Sequence, residues 1–145
     1  MIFTTFNIKG LGGSHKYNSL KRCFDLLKPY VAMIQETMSN GVKACDFFFR
    51  LFPGWEVCSV DAMGMSGGLL TIWNSTLAYF EAYISYAGIL LEGRIKGCND
   101  IVRVINCNGP YREREDFWNK VNGCGILNAS DVILGGDLNL TLSCE

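Results

Sequence analysis

Three segments of this chain are rich in β-branched, aromatic and other apolar residues and then end in polar side chains. Residues 2–8, IFTTFNI, lead past Asn7 into the flexible stretch KGLGGS, VAMIQE ends in Gln35 and Glu36, and DVILGGDLN continues past Asp137. Short, nearly continuous apolar runs are typical of buried strands. Because ligands commonly bind at the loop-facing ends of strands, this feature predicts a sheet protein with a polar site at one end.

The middle of the chain is a series of strand patterns without intervening helices. These patterns are GWEVCSV, GLLTIW, LAYFEAYISY, ILLEGRI and IVRVINC, and Gly, Asn and Asp separate them. Consecutive strands of this kind favour antiparallel hairpins. Helical spacing of apolar residues predicts three helices, at residues 17–28, 44–52 and 112–121. Since no internal repeat or linker interrupts the pattern, we expect one α+β domain with stacked sheets over residues 1–145.

Charge and cysteine usage limit the classes of function. The formal net charge is -1, so the chain lacks the bulk positive charge with which many proteins bind nucleic acid. A site that uses a divalent cation escapes this objection, because the ion supplies positive charge and the protein supplies carboxylates.

Seven cysteines without a C-x-x-C pair, and a single histidine, His15, argue against a zinc module. The absence of a signal-peptide pattern and of a long apolar run predicts a soluble intracellular protein of the nucleus or cytoplasm.

The polar strand ends form an ordered set of motifs. Taken singly, a Gln-Glu pair is usually a solvated turn, and Gly-Asp-x-Asn is usually an Asx-type turn. In order, the chain contains F-N-I-K-G-L-G, I-Q-E-T, S-G-G-L-L-x-x-W, I-N-C-N-G-P-Y followed by REREDFW, and G-G-D-L-N. This set resembles the endonuclease/exonuclease/phosphatase superfamily. In detail, it is most similar to the apurinic-endonuclease-like domain of plant LINE-type (non-LTR) retrotransposons.

The resemblance implies a particular fold and a particular part of it. The family's DNase I-like fold is a four-layer α/β/β/α sandwich whose active site opens where the strands of both sheets end. The resemblance covers the chain up to G-D-L-N, whereas the family's later aspartate and serine-aspartate-histidine motif have no counterpart here. We therefore expect a partial sandwich that lacks its C-terminal strands. His15, which we expect to be exposed in the first loop, cannot take the place of that terminal histidine.

The resemblance also implies roles for five residues. Glu36 is expected to bind Mg²⁺ or Mn²⁺ as a hard oxygen ligand, and Asn7 to position this carboxylate or the phosphate. Asp137 is expected to orient or deprotonate the attacking water, and Asn139 to donate a hydrogen bond to the transition state. Where the family often has a tyrosine before Gly-Pro, this chain has Asn108, which can still hydrogen-bond to a phosphate.

The function implied by the resemblance is that of a divalent-metal-dependent phosphodiesterase-type endonuclease that acts on DNA. In the family this domain is fused to a reverse transcriptase. Two alternatives stay open at this level. One is a catalytically inactive retroelement remnant, because the C-terminal Asp/His motif has no counterpart. The other is a phosphatase or phosphodiesterase of another branch, which would use the same core residues on a different phosphate ester.

Overall fold

The structure is a computed structural model that describes residues 1–63 and 66–140, without the side chains of Met63 and Ser66. Within these ranges the chain forms eight strands and three helices, each at a segment where the sequence predicts one. In chain order they are β1 (Phe3–Asn7), α1 (Ser14–Leu27), β2 (Val31–Gln35), α2 (Gly41–Leu51), β3 (Glu56–Met63), β4 (Ser66–Trp73), β5 (Ala78–Ser85), β6 (Gly88–Ile95), β7 (Val102–Asn108), α3 (Arg114–Gly123) and β8 (Val132–Asp137).

The strands form two four-stranded sheets in the described residues, with the orders β1-β2-β4-β3 and β5-β6-β7-β8. Most neighbours are antiparallel, as the run of consecutive strands predicts, but each sheet contains one parallel pair. In the first sheet β1 is parallel to β2, and Asn7 is paired with Gln35. In the second sheet β7 is parallel to β8, and Asn108 is paired with Asp137. Because parallel strands end on the same side, each sheet presents two polar carboxyl ends together.

The two sheets pack face to face, and helices cover both outer faces, so the predicted four-layer α+β sandwich is confirmed. The outer face of the first sheet packs against α1 and α2 through a cluster that includes Phe24, Ile34 and Phe48. The outer face of the second sheet packs against α3 through Ile105, Phe117 and Val121. Between the sheets lies an apolar cluster formed by Val31, Met33, Leu69, Trp73, Ala78, Phe80, Ile89, Leu91, Ile95 and Val104.

Two helix starts differ from the sequence prediction. Helix α2 begins at Gly41, three residues earlier than expected, because the side chain of Asn40 accepts a hydrogen bond of 2.9 Å from the amide of Lys43 and caps the helix. Helix α1 already begins at Ser14, so the expectation of a loop at His15 is wrong, and His15 is an exposed helical residue. None of the helices in the described part of the chain is long and apolar enough to cross a membrane.

Candidate active site

Glu36 follows β2 directly and is held in an unusual backbone conformation. Its φ of 54° lies in the left-handed region, which non-glycine residues adopt only where the surrounding structure enforces it. The amide of Gly10 donates to the carbonyl of Glu36 across 2.7 Å, and the amide of Thr37 donates to the carbonyl of Gly68 across 3.2 Å. The carboxylate of Glu36 is half-buried and has no hydrogen bond or ion pair with any described residue. A strained backbone therefore carries an unpaired carboxylate, a combination that is common at functional sites.

Lys16 orders the loop that follows Asn7. Its Nζ donates to three consecutive carbonyls, those of Ile8, Lys9 and Gly10, across 2.8, 2.7 and 2.9 Å. The stretch KGLGGS, which looks flexible in the sequence, is thus held at its start by a charged donor on α1. The sequence contains no signal for this contact, because a single lysine on a helix is ordinarily a solvated residue.

Asn7 and Asp137 bring the two sheets together at the ends of their parallel pairs. The Nδ2 of Asn7 donates to the Oδ2 of Asp137 across 3.1 Å. The Oδ1 of Asp137 accepts from the amide of Asn139 across 3.3 Å, which is an Asx-type turn contact. The turn contact and the contact across the sheets are therefore both present, and they use different oxygens of the same carboxylate.

Two further predicted site residues lie close to Asp137. Asn139 follows it by two residues in the chain, and Asn108 is its register partner on β7. The Nδ2 of Asn139 donates to the carbonyl of Gly109, which leaves the second hydrogen of that amide for another acceptor. Asn108, the register partner of Asp137, is half-buried, and its side chain has no hydrogen bond within residues 1–63 and 66–140. It lines an open groove of about 380 Å³ together with Gly67 and Tyr86. Of the five predicted site residues, Asn7, Asn108, Asp137 and Asn139 thus come together, and Glu36 lies one residue beyond the partner of Asn7.

The glycines of the motifs allow the backbones at the site to approach closely. A Cβ on Gly136, whose φ is 125°, would overlap the carbonyl of Cys107 on β7. A Cβ on Gly109 would overlap the carbonyl of Leu138 in the same way. The second glycine of G-G-D-L-N and the glycine of G-P-Y are therefore required by the contact between the chain segments that carry Asn108 and Asp137.

A buried polar layer lies beneath the site. Gln35, Thr71 and Asn106 are at most 1% exposed, and they lie on three different strands. The Nε2 of Gln35 donates to the Oδ1 of Asn106 across 2.7 Å, which joins the two sheets. Asn106 is not among the residues for which the sequence predicts a role. The sequence signals that could have found it are a polar residue near the end of the apolar strand IVRVINC and its place in the motif I-N-C-N-G-P-Y.

The side chains at the site fit some metal sites and not others. Within the described ranges, no three or more His, Cys, Asp or Glu side chains are grouped so that they could hold a metal ion. This does not fit an ion that is enclosed by protein ligands alone, such as structural zinc. It does fit Mg²⁺, which usually binds through one or two carboxylates and completes its shell with water and substrate phosphate. The unpaired Glu36 is the residue that could hold such an ion, with the amide oxygen of Asn7 nearby in the sheet.

The four layers and the polar site at the strand ends define the class of fold, and solved structures agree with it. No protein-family model and no curated protein sequence matches the chain. One similar structure is the AP endonuclease LMAP from Leishmania major, which is 18% identical over 95% of this chain with a TM-score of 0.67. A second is D. rerio TDP2 with a single-strand DNA product, which is also 18% identical over 95% of this chain with a TM-score of 0.67. A third is the Bacteroides thetaiotaomicron mannosyl-6-phosphatase Bt3783, which is 12% identical over 94% of this chain with a TM-score of 0.70. At these identities the likeness shows the fold alone. The chain has the DNase I-like fold, and it spans 55%, 60% and 64% of the three structures.

Proposed function

We propose that this chain carries the metal-binding and water-activating part of a divalent-metal-dependent phosphodiester hydrolase that acts on DNA. The observation that carries the proposal is the hydrogen bond of 3.1 Å between Asn7 and Asp137. It joins two strand ends that are 130 residues apart in the sequence, and Glu36 directly follows Gln35, the register partner of Asn7. Glu36 also has a left-handed backbone, an uncommon conformation for a non-glycine residue that is found more often at functional sites.

Each residue has a task that follows from its chemistry. When bound, a divalent ion polarises the scissile phosphate and stabilises charge on the leaving oxygen. Glu36 would hold that ion. Asp137 would orient the attacking water and accept its proton, while Asn7 keeps the carboxylate of Asp137 in place through its amide. Asn139, with its second amide hydrogen, and Asn108 would donate hydrogen bonds to the oxygens of the phosphate.

The similar structures support a phosphate ester as the substrate class, and two of them support DNA. LMAP is an AP endonuclease, the D. rerio TDP2 structure contains a single-strand DNA product, and Bt3783 is a mannosyl-6-phosphatase. A net charge of -1 also favours a metal-assisted mechanism, because this chain offers little positive charge of its own for a phosphate backbone.

The test is a nicking assay on supercoiled plasmid with Mg²⁺ or Mn²⁺. We expect the wild-type protein to nick and both Glu36→Gln and Asp137→Asn to lose at least about 10²-fold in rate, as is usual when a preorganised catalytic group is removed. Glu56→Gln is the matched control, because Glu56 is an exposed carboxylate paired with Trp73 at the opposite end of the first sheet. Circular dichroism establishes that all variants are folded. Nicking that survives both site substitutions would refute these roles.

A second candidate function is a metal-binding module without catalysis. The observation that favours it is that no three or more His, Cys, Asp or Glu side chains are grouped within the described ranges, while the carboxylate of Glu36 has no partner there. In that case Mn²⁺ binds to the wild type and not to Glu36→Gln, and neither protein nicks DNA. Both candidates predict Mn²⁺ binding, so nicking by the wild type, which only the first candidate predicts, separates them.

The finer relationship, to the endonuclease domain of LINE-type retroelements, is also a proposal, and it rests on the order of the five motifs. It predicts that the nucleotide sequence downstream of the codon for Glu145 contains an in-frame serine-aspartate-histidine motif and a reverse transcriptase. A substrate panel separates the branches of the superfamily. Cleavage of plasmid or abasic DNA supports the endonuclease proposal, whereas turnover of inositol phosphates alone supports the phosphatase alternative.

A further inference from the structure

The buried polar layer beneath the site joins the two sheets through one residue of β7. The Oδ1 of Asn106 accepts from Gln35 across 2.7 Å. Its Nδ2 lies 3.0 Å from the carbonyl of Leu70, 3.1 Å from the Oγ1 of Thr71 and 3.3 Å from the carbonyl of Ile34. Asn106 thus uses both ends of its amide and reaches two strands of the opposite sheet, β2 and β4.

The buried polar layer lies at a particular place in the interface between the two sheets. The cluster between the sheets is made of apolar side chains, so a buried amide at position 106 requires hydrogen-bond partners, and it finds them on β2 and β4. Two residues of the layer lie close to predicted site residues along their strands. Gln35 is the register partner of Asn7 and directly precedes Glu36, while Asn106 lies two residues before Asn108, the partner of Asp137.

We propose that Asn106 and Gln35 are positioning residues that fix Glu36, on the first sheet, relative to Asp137, on the second. The proposal rests on the proposed function, in which these two carboxylates serve one site. A purely apolar interface would hold the sheets together but would allow them to shift, since dispersion contacts have little directional preference. The directional bonds of the two amides define one relative placement.

The substitutions follow from the donors and acceptors involved. Asn106→Leu has a similar size and removes every bond, and Asn106→Asp keeps an acceptor for Gln35 but has no hydrogen to offer to Leu70 or Ile34. Thr71→Val is a milder change that removes one acceptor, and Thr71→Ser restores it. Val121→Ala is the control for a general loss of stability, because Val121 is 1% exposed in the cluster with α3, on the other face of the second sheet.

Two measurements test the proposal in the full chain. The first is the affinity for Mn²⁺, followed by the electron paramagnetic resonance signal of the free ion. We expect affinity to fall about 10-fold in Asn106→Leu and Asn106→Asp, as is usual when a group that orients a metal ligand is lost, and to stay unchanged in Val121→Ala. The second is hydrogen exchange at the amides of Gly10 and Gly109, which donate across 2.7 Å to the carbonyls of Glu36 and Asp137. We expect faster exchange at both amides in the Asn106 variants and unchanged exchange in Val121→Ala.

The outcomes separate this inference from the function on which it rests. Unchanged Mn²⁺ affinity and exchange in the Asn106 variants, or equal losses in Val121→Ala, overturn the positioning role. If the wild type binds no Mn²⁺, the proposed function fails, and the exchange at Gly10 and Gly109 still decides whether the layer positions the strand ends. If the Asn106 variants do not fold, Thr71→Val decides instead. If Thr71→Val loses part of the Mn²⁺ affinity of the wild type while Thr71→Ser keeps it, the positioning role is supported. If the two variants have the same Mn²⁺ affinity, the positioning role is contradicted.

Discussion

Thr37 and Gly68 fit together so closely that a side chain on Gly68 would occupy the place of the Thr37 hydroxyl. The amide of Thr37 donates to the carbonyl of Gly68 across 3.2 Å, and a Cβ on Gly68 would overlap the Oγ1 of Thr37. Thr37 is 1% exposed, and its Oγ1 has no hydrogen-bond partner in the described part of the chain. The second glycine of S-G-G-L-L therefore lets the loop that carries Glu36 close onto β4.

Gly68→Ala should destabilise the protein more than Gly97→Ala. Both glycines have similar left-handed backbones, with φ of 85° and 88°, so an alanine costs about 1 to 2 kcal/mol of strain at either position. Only Gly68→Ala must also displace Thr37, which adds about 1 to 3 kcal/mol for overpacking, whereas Gly97 faces open space. The measurement is urea unfolding of the two variants and the wild type. Equal losses of unfolding free energy would show that Thr37 can move aside freely.

The structure explains why part of this site is predictable from the sequence and part is not. The strands and helices follow from local apolar patterns, and the polar strand ends follow from the motif order. Which ends meet depends on contacts between distant segments, such as the hydrogen bond between Gln35 and Asn106, which are 71 positions apart in the sequence. No local pattern encodes the parallel register of β1 with β2 or of β7 with β8. The sequence does not reveal the role of Asn106, because its hydrogen-bond partners lie on two strands of the other sheet. It does not reveal the role of Lys16, because the acceptors of this side chain are main-chain carbonyls, which every residue has.

Glu36→Gly should make the protein more stable while it removes metal binding. Glu36 has a φ of 54°, a conformation that glycine adopts without steric cost and other residues do not. Because the carboxylate makes no hydrogen bond or ion pair with a described residue, its removal loses no favourable contact of that kind. We expect a gain of up to about 1 kcal/mol in unfolding free energy, measured with urea, together with loss of Mn²⁺ binding. A marked loss of stability would mean that the Glu36 side chain contributes to the fold.

Stability should fall in alkaline solution because of Cys107. This thiol is fully buried between β7 and α3, and burial raises the pKa of Cys107 from its ordinary value of 9.0 to about 11. The folded state therefore holds the proton more tightly than the unfolded chain, so the contribution to stability is complete below pH 9 and is lost as the pH rises through 11. A shift of this size corresponds to about 2 to 3 kcal/mol.

The comparison of Cys107→Ala with Cys124→Ala isolates this contribution. Other groups titrate in the same range of pH, so the quantity to compare is the change in unfolding free energy between pH 8.5 and 11 for each variant. We expect Cys107→Ala to be less stable at pH 8.5, because it leaves a small cavity, but to lose less stability on the way to pH 11. Cys124 is exposed, and Cys124→Ala should keep the slope of the wild type. Parallel slopes in all three proteins would contradict the assignment to Cys107.

Lys16→Met should release the loop between Asn7 and α1 without unfolding the helix. The three carbonyls that accept from the Nζ of Lys16, at 2.7 to 2.9 Å, would lose a charged donor, and bonds to charged groups contribute about 1.5 to 3 kcal/mol. Lys21→Met is the matched control on the same helix, because Lys21 forms an exposed ion pair of 3.0 Å with Asp25 that is worth roughly 0.5 kcal/mol.

Hydrogen exchange at the amide of Gly10 reports on the loop directly, since this amide donates to the carbonyl of Glu36. We expect exchange there to become faster in Lys16→Met and to stay unchanged in Lys21→Met, and Mn²⁺ affinity to fall only in the first variant. If the loop stays protected without the Lys16 ammonium, then the main-chain bond from the amide of Gly10 to the carbonyl of Glu36 is sufficient to hold Glu36 in its left-handed conformation.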